Sequence, residues 1–346
     1  MTGVALISGL LDDARRMSAS SFASPRDIDV AMRLGAGYPV GPFELTNAEL
    51  FGENEIVADA NPWPGPMGVV GTGHMATGIA EAIARAGQPV VLWGRSAASV
   101  SAALEGIASR LGSSVARGRD TEEGAADVRS RIRGTTDFGE LATSPVVIEA
   151  VVEDLAVKQN LFALLDATLP RSVRLATNTS SFRLAEVVDG VGGARATLAL
   201  HFFNPAPRMR LVEIVTGEAA LRAEAIEWVR TIGKVPVVSG DQRGFIVNRL
   251  LIPYLNDSVR ELERGATVEQ IEHVATTDLG HPMGPLALVD LIGIDVTVAA
   301  LSSMSQQDPD PRLRPASTLE RMLAAGILGR KSGSGFVVGA GIEGAQ

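Results

Sequence analysis

Met67–Arg95 reads MGVVGTGHMATGIAEAIARAGQPVVLWGR. Met67–Val70 is a short apolar run that stops at Gly71. Met75, Ile79, Ile83 and Ala86 then recur at helical spacing, Gly87 is a natural helix stop, and Pro89–Trp93 is a second apolar strand. Between the first strand and the helix, Gly71, Gly73 and Ala76 spell G-x-G-x-x-A. In such a turn the first glycine permits the tight bend, the second lets the backbone approach a pyrophosphate, and the third small residue lets helix and strand pack closely. The helix N-terminus presents its unpaired N–H groups to the anion. The stretch is therefore read as a dinucleotide-binding βαβ unit; an ordinary strand–helix turn that tolerates glycine is the plain alternative.

The second strand ends in Trp93-Gly94-Arg95-Ser96. An acidic residue at this strand end hydrogen-bonds the ribose 2′-hydroxyl of NAD. Gly94 takes that place, so no carboxylate repels a 2′-phosphate, and the Arg95 guanidinium can pair with one bidentately. Arg95 and Ser96 become candidate cofactor contacts, and the reading leans to NADP over NAD.

The chain has 346 residues, enough for two or three domains, and 46% of them are hydrophobic. A net charge of −9 argues against nucleic-acid binding. With no cysteine, disulfides, thiolate metal sites and thiol catalysis are excluded, and no metal site is expected. Val4–Leu11 is too short and lacks the basic flank of a signal peptide, and no run reaches the roughly 18 apolar residues of a membrane span. A cytoplasmic protein with no membrane partner is expected. The only lysines are Lys158, Lys234 and Lys331.

Beyond the nucleotide unit, Pro145–Val151, Val173–Ala176, Ala196–His201, Leu211–Val215 and Val235–Ser239 read as strands, with helices between. The alternation predicts an α/β fold, a Rossmann-type, doubly wound and mostly parallel sheet. Residues 97–133 read as helices carrying Arg110, Arg117, Arg119, Arg129, Arg131 and Arg133. That cluster is either a solvated helix face or a place for an anionic substrate. Ligands bind such sheets beyond the strand C-termini, where Glu153, Asn178, Ser180, His201 and Asn204 fall.

The two ends of the chain look helical and alike. Ser24-Pro25 reads as an N-cap followed by proline at the first helical position. Ala23–Leu45 aligns without gaps to Ala266–Leu288 with seven identities in 23 positions, concentrated in G-x-P-x-G-P, and Leu6–Arg15 matches Leu251–Arg260 after a two-residue shift. The expected organisation is a helical partial repeat over 1–58, a Pro-rich linker over 59–66, the dinucleotide-binding domain over 67–243 and an all-helical domain over 244–346.

Of four histidines, His74 lies in the glycine turn, while His273 and His281 read as structural. His201 ends a strand on the ligand side, and Glu213 follows twelve residues later. A strand, a loop and a return strand would set its carboxylate against the imidazole, as suits a general base that takes a hydroxyl proton while hydride leaves. A histidine that merely caps a core strand is the alternative.

G-x-G-x-M-A-x-G-I-A, E-A-V-V-E-D, N-T-S-S, H-F-F-N-P, G-F-I-V-N-R-L, H-P-M-G-P-L and G-R-K-S-G-x-G-F occur in this order between Gly68 and Phe336. Together they resemble the 3-hydroxyacyl-CoA dehydrogenases. The resemblance implies reversible hydride transfer between a short-chain (S)-3-hydroxyacyl-CoA and a nicotinamide cofactor. It implies His201 as base, Glu213 as its partner, and Ser180 and Asn248 as hydrogen-bond donors to substrate oxygens. Glu153, Lys158, Asn204 and Lys331 match cofactor-contacting positions, and Arg117 matches a basic helix position near the CoA phosphates. The resemblance further implies a helical C-terminal domain that forms a homodimer, and residues 1–58 are expected to pack on it and replace part of that contact. Gly94 stands where the family has Asp, and Arg243 where it has Pro. An acyl carrier protein or a free hydroxy acid as substrate, or a dinucleotide-binding protein without turnover, are the competing readings.

Overall fold

The computed structural model describes residues 2–46, 60–193 and 195–338. They form two compact units: residues up to 46 join residues from Arg243 onward, and residues 60–242 stand as the other. Residues 47–58 of the expected helical repeat, and residue 59 of the expected linker, lie outside the described residues.

Residues 60–242 carry eight strands: β1 (Met67–Val70), β2 (Val90–Trp93), β3 (Ile132–Thr135), β4 (Val146–Glu149), β5 (Arg174–Thr177), β6 (Thr197–Phe202), β7 (Leu211–Val215) and β8 (Val235–Val238). They lie in one sheet of order β3-β2-β1-β4-β5-β6-β7-β8. Every neighbouring pair is parallel except β6 and β7. The chain leaves β1 toward β2 and later returns to its other side with β4. That reversal is the topological switch point at which such sheets bind ligands. Apolar side chains on both faces explain the uninterrupted burial of β1, β4 and β7.

Helix numbering runs along the whole chain. α1 (Gly3–Leu6), α2 (Ser8–Ala19) and α3 (Pro25–Gly35) precede the sheet. α4 (His74–Arg85), α5 (Ala97–Ala116), α6 (Glu122–Ser130), α7 (Leu155–Thr168), α8 (Leu184–Val187) and α9 (Ala219–Thr231) belong to it. α10 (Val247–Glu263), α11 (Val268–His273), α12 (Pro285–Ile292), α13 (Ile294–Ser305) and α14 (Ser317–Ala324) follow. No single described helix is long and apolar enough to cross a membrane.

One expectation is corrected. The stretch 97–133 is not helical to its end, because Ile132 begins the edge strand β3, paired with β2. Residues 60–66, expected as a Pro-rich linker, are held to the sheet unit at Trp63. Trp63 is fully buried, its Nε1 donates to Glu224, and its carbonyl accepts from Gln88. Gln88 in turn accepts from Trp228 Nε1, so one amide joins the Trp63 backbone to the Trp228 indole.

In the other unit α10 is the central helix, packed by α2, α12 and α13. Ser24 caps α3 by accepting from the Asp27 N–H, with Pro25 at the first turn. Arg243 is buried, and its Nη1 donates to the Ser303 carbonyl on α13 and to Gln306 at that helix's C-terminal cap.

Candidate active site

The glycine turn has the room a pyrophosphate needs. Gly71 has φ +130°, and a Cβ there would lie 2.6 Å from the Ala150 carbonyl oxygen. Gly73 caps α4 with no side-chain partner, and a Cβ there would point into open space. The first N–H groups of α4 have no capping side chain and so are open to an anion. Ala76 is buried, as close helix–strand packing requires. His74 Nε2 pairs with Asn204 Oδ1 at 2.9 Å, which joins the turn to the loop after β6.

At the end of β2 the Gly94 N–H donates to Thr135, and a Cβ at Gly94 would lie 2.6 Å from Thr72 Cγ2 and 2.8 Å from Val100 Cγ2. No acidic side chain fits there without displacing both. Arg95 is exposed and carries no ion pair among the described residues. Ser96 caps α5 in a reciprocal box with Ser99.

Past β4 and β5, one carboxylate organises the N-T-S-S loop. Glu153 accepts from Thr179 Oγ1 at 2.6 Å, from the Ser180 N–H at 2.8 Å and from the Ser181 N–H at 2.9 Å. Burial pushes this carboxyl up, but the Lys158 ammonium and the Thr179 and Ser180 donors outweigh it and hold it below the ordinary glutamate value. Lys158 is enclosed, 2.6 Å from Glu149 and 3.1 Å from Glu153. Its ammonium neutralises two carboxylates and fixes Glu153, which shapes the loop bearing Ser180.

The antiparallel β6–β7 pair places His201 directly opposite Glu213. His201 Nδ1 lies 2.6 Å from Glu213 Oε2, with the histidine 5% exposed and the glutamate fully buried. A carboxylate on Nδ1 selects the tautomer whose basic atom is Nε2. Asn178 Oδ1 accepts from the Phe202 N–H and so ties the end of β5 to this strand. Lys234 is buried, and its Nζ donates to the carbonyls of Ala206 and Met209 at 2.7 Å each. It pins the loop that carries Asn204. Two backbone carbonyls converging on one ammonium have no sequence signature.

The arginine cluster divides. Arg131 pairs with Asp127 and Arg133 with Glu140. Arg110 sits on Glu81, which it shares with Arg85. Arg117 and Arg119 line a groove of about 450 Å³ with His74, Arg110 and Arg208. Arg117, Arg119 and Arg208 carry no ion pair among the described residues. The groove therefore offers unneutralised guanidinium groups beside the glycine turn, whereas Arg110, Arg131 and Arg133 are occupied. Asn248, in the first turn of α10, and Lys331, paired with Asp295, belong to the helical unit.

Comparison with known proteins adds family and relatives. The 3-hydroxyacyl-CoA dehydrogenase NAD-binding domain matches residues 66–242, and the C-terminal domain of the same family matches residues 3–50 and 244–339. A 3-hydroxybutyryl-CoA dehydrogenase of Mycobacterium tuberculosis is 42% identical over 278 residues, which cover 78% of this chain and 96% of that protein. A 3-hydroxyadipyl-CoA dehydrogenase of Escherichia coli K12 is 39% identical over 275 residues, covering 78% of this chain and 58% of that one. Among solved structures, an (S)-3-hydroxybutyryl-CoA dehydrogenase from Ralstonia eutropha matches with a TM-score of 0.77 and 35% identity, over 80% of this chain and 99% of that chain.

Proposed function

From the premise that the chain belongs to the 3-hydroxyacyl-CoA dehydrogenase family, we propose that it catalyses reversible hydride transfer at C3 of a short-chain (S)-3-hydroxyacyl-CoA, with NADP(H) preferred over NAD(H). The observation that carries the catalytic part is the buried His201–Glu213 pair at 2.6 Å. His201 Nε2 takes the 3-hydroxyl proton as the C3 hydride departs, and Glu213 stabilises the resulting imidazolium. In the reverse direction the same imidazolium returns the proton to the 3-oxo group. The nicotinamide, when bound, supplies the hydride acceptor. Ser180 and Asn248 donate to substrate oxygens and stabilise enolate character at the thioester of the 3-oxo product.

The cofactor preference is supported by the crowded backbone at Gly94 and by an exposed Arg95 with no ion pair among the described residues. Glycines 71 and 73 with Ala76 receive the pyrophosphate, and Ser96, Glu153, Asn204 and Lys331 complete the cofactor contacts. Arg117 and its neighbours in the groove receive CoA phosphates. The same groove favours a phosphorylated carrier, CoA or an acyl carrier protein, over a free hydroxy acid. A cytoplasmic location accords with such a substrate. The test is oxidation of NADPH and of NADH with acetoacetyl-CoA in parallel, with His201→Gln as the control that abolishes turnover but still binds cofactor.

A further inference from the structure

The helical unit holds the two aligned stretches, 23–45 and 266–288, against each other, and each builds the same local structure. Ser24 and Thr267 occupy aligned positions, and each accepts from the backbone N–H three residues on, at Asp27 and at Gln270. Asp29 and Glu272 are likewise aligned. Asp29 accepts from the Phe43 and Glu44 N–H groups, and Glu272 from those of Leu286 and Ala287. Gly37 and Gly280 turn the chain with φ of +74° and +67°.

The contacts between the stretches are reciprocal. A Cβ on Gly37 would lie 3.1 Å from Pro282, and a Cβ on Gly280 would lie 3.3 Å from Pro39, the residue aligned with Pro282. Tyr38 stacks on its own aligned residue, His281, with centroids 3.8 Å apart and planes within 9°. Upstream, α2 packs on α10, with which it aligns. A pattern in which i meets j and j meets i, with self-pairs on the axis, is that of an isologous two-fold interface. An ordinary contact between unrelated helices has no reason to be reciprocal.

We propose that the face formed by α10 and the His281 turn is a self-complementary docking surface, and that its occupant in this protein is the chain's own residues 3–45, so that the molecule is a monomer carrying its partner in cis. Three features fit a permanent occupant. Ile7, Leu10, Ile28 and Met32 are buried there almost completely. The Tyr38 ring is buried against His281 and edge-on to Tyr254. Arg312 clamps the segment, 2.6 Å from Asp13 on α2 and 2.6 Å from Asp257 on α10, and also donates to the Gly9 carbonyl. A second chain approaching this face meets a surface already filled. The inference rests on packing and does not depend on the catalytic reading.

The test starts with the native mass of the full chain by light scattering over a wide range of concentrations. The expected mass is that of one chain, 36.1 kDa, at every concentration; a stable dimer overturns the proposal. A protease site inserted between Gly52 and Asn61 then allows the segment to be cut from the folded protein. The cut pieces are expected to elute together, and the larger piece to pair with itself once dilution removes the smaller. A larger piece that stays monomeric after losing the segment overturns the claim of self-complementarity. Tyr38→Glu in the uncut chain alters the occupant and leaves the face intact. It is expected to shift the full chain toward a dimer and to expose α2 and α3 to protease; a monomer with the segment released overturns the proposal without requiring any fragment to fold.

Discussion

Glu213→Gln removes one negative charge and preserves the side-chain shape beside His201. The wild-type atoms are 2.6 Å apart, and Glu213 is shielded from water by the sheet. With charge centres about 4 Å apart and an effective dielectric near 20, the carboxylate attracts the positive charge that develops on the ring in the transition state by about 4 kcal/mol. At about 1.4 kcal/mol per power of ten, complete loss would slow proton abstraction about 10³-fold. The amide keeps part of that attraction through its carbonyl dipole, so kcat is expected to fall about 10²–10³-fold, within the range of general acid–base effects. Cofactor affinity should hold, because Glu213 lies behind the histidine and away from the glycine turn. The assay is steady-state turnover with acetoacetyl-CoA in one direction and 3-hydroxybutyryl-CoA in the other, with NADPH binding followed separately by fluorescence. A loss of less than about tenfold in kcat would show that the pair does not carry the proton step. A loss confined to cofactor binding would assign Glu213 a structural role instead.

Arg95→Ala should raise the KM for NADPH about 10–100-fold, the cost of one charge-assisted hydrogen bond, and leave the KM for NADH nearly unchanged; parallel titrations decide it. Gly94→Asp should not simply convert the enzyme to NADH, because its Cβ would press on Thr72 and Val100, and overpacking of that kind costs about 1–3 kcal/mol, visible as a lower melting temperature. Replacing Arg117 and Arg119 together by alanine should raise the KM for acetoacetyl-CoA about tenfold or more with little change in kcat. Added salt should narrow the gap between wild type and variant. Burial holds the His281 imidazole down to about 4, against about 6.5 unfolded. The folded state resists that proton, so the contribution to stability is complete above pH 6.5 and is lost as pH falls toward 4, about 3 kcal/mol in all. Asp29, pushed up to about 6 by burial, acts in the opposite sense across the same range, so the difference between wild type and His281→Gln in urea midpoints at pH 7, 5 and 4 is the quantity to read.

Much of the sheet was legible because its signals are local. The apolar runs at 67–70 and 90–93, the helical spacing between them and the glycines at 71 and 73 each follow from short-range chemistry. The His201–Glu213 contact was also readable, since a return strand twelve residues later can only pair antiparallel. Ile132–Thr135 was not, because an edge strand of four residues interrupted by Arg133 and Gly134 has neither alternation nor length. The burial of Trp63 was not legible either: prolines on both sides mark a turn, yet turn chemistry says nothing about where the indole goes. Counting arginines between 110 and 133 could not say which of them meet Glu81, Asp127 or Glu140. Lys158 matched a cofactor position by motif, but only the fold shows its ammonium enclosed between two carboxylates.

The most direct test is the rate of reduced-nicotinamide oxidation by purified protein with acetoacetyl-CoA, measured with NADPH and with NADH side by side. The account predicts turnover with both, NADPH preferred, and none above background in His201→Gln. Cofactor binding without turnover in the wild type would contradict the catalytic reading, and turnover that favours NADH would contradict the role given to Gly94 and Arg95.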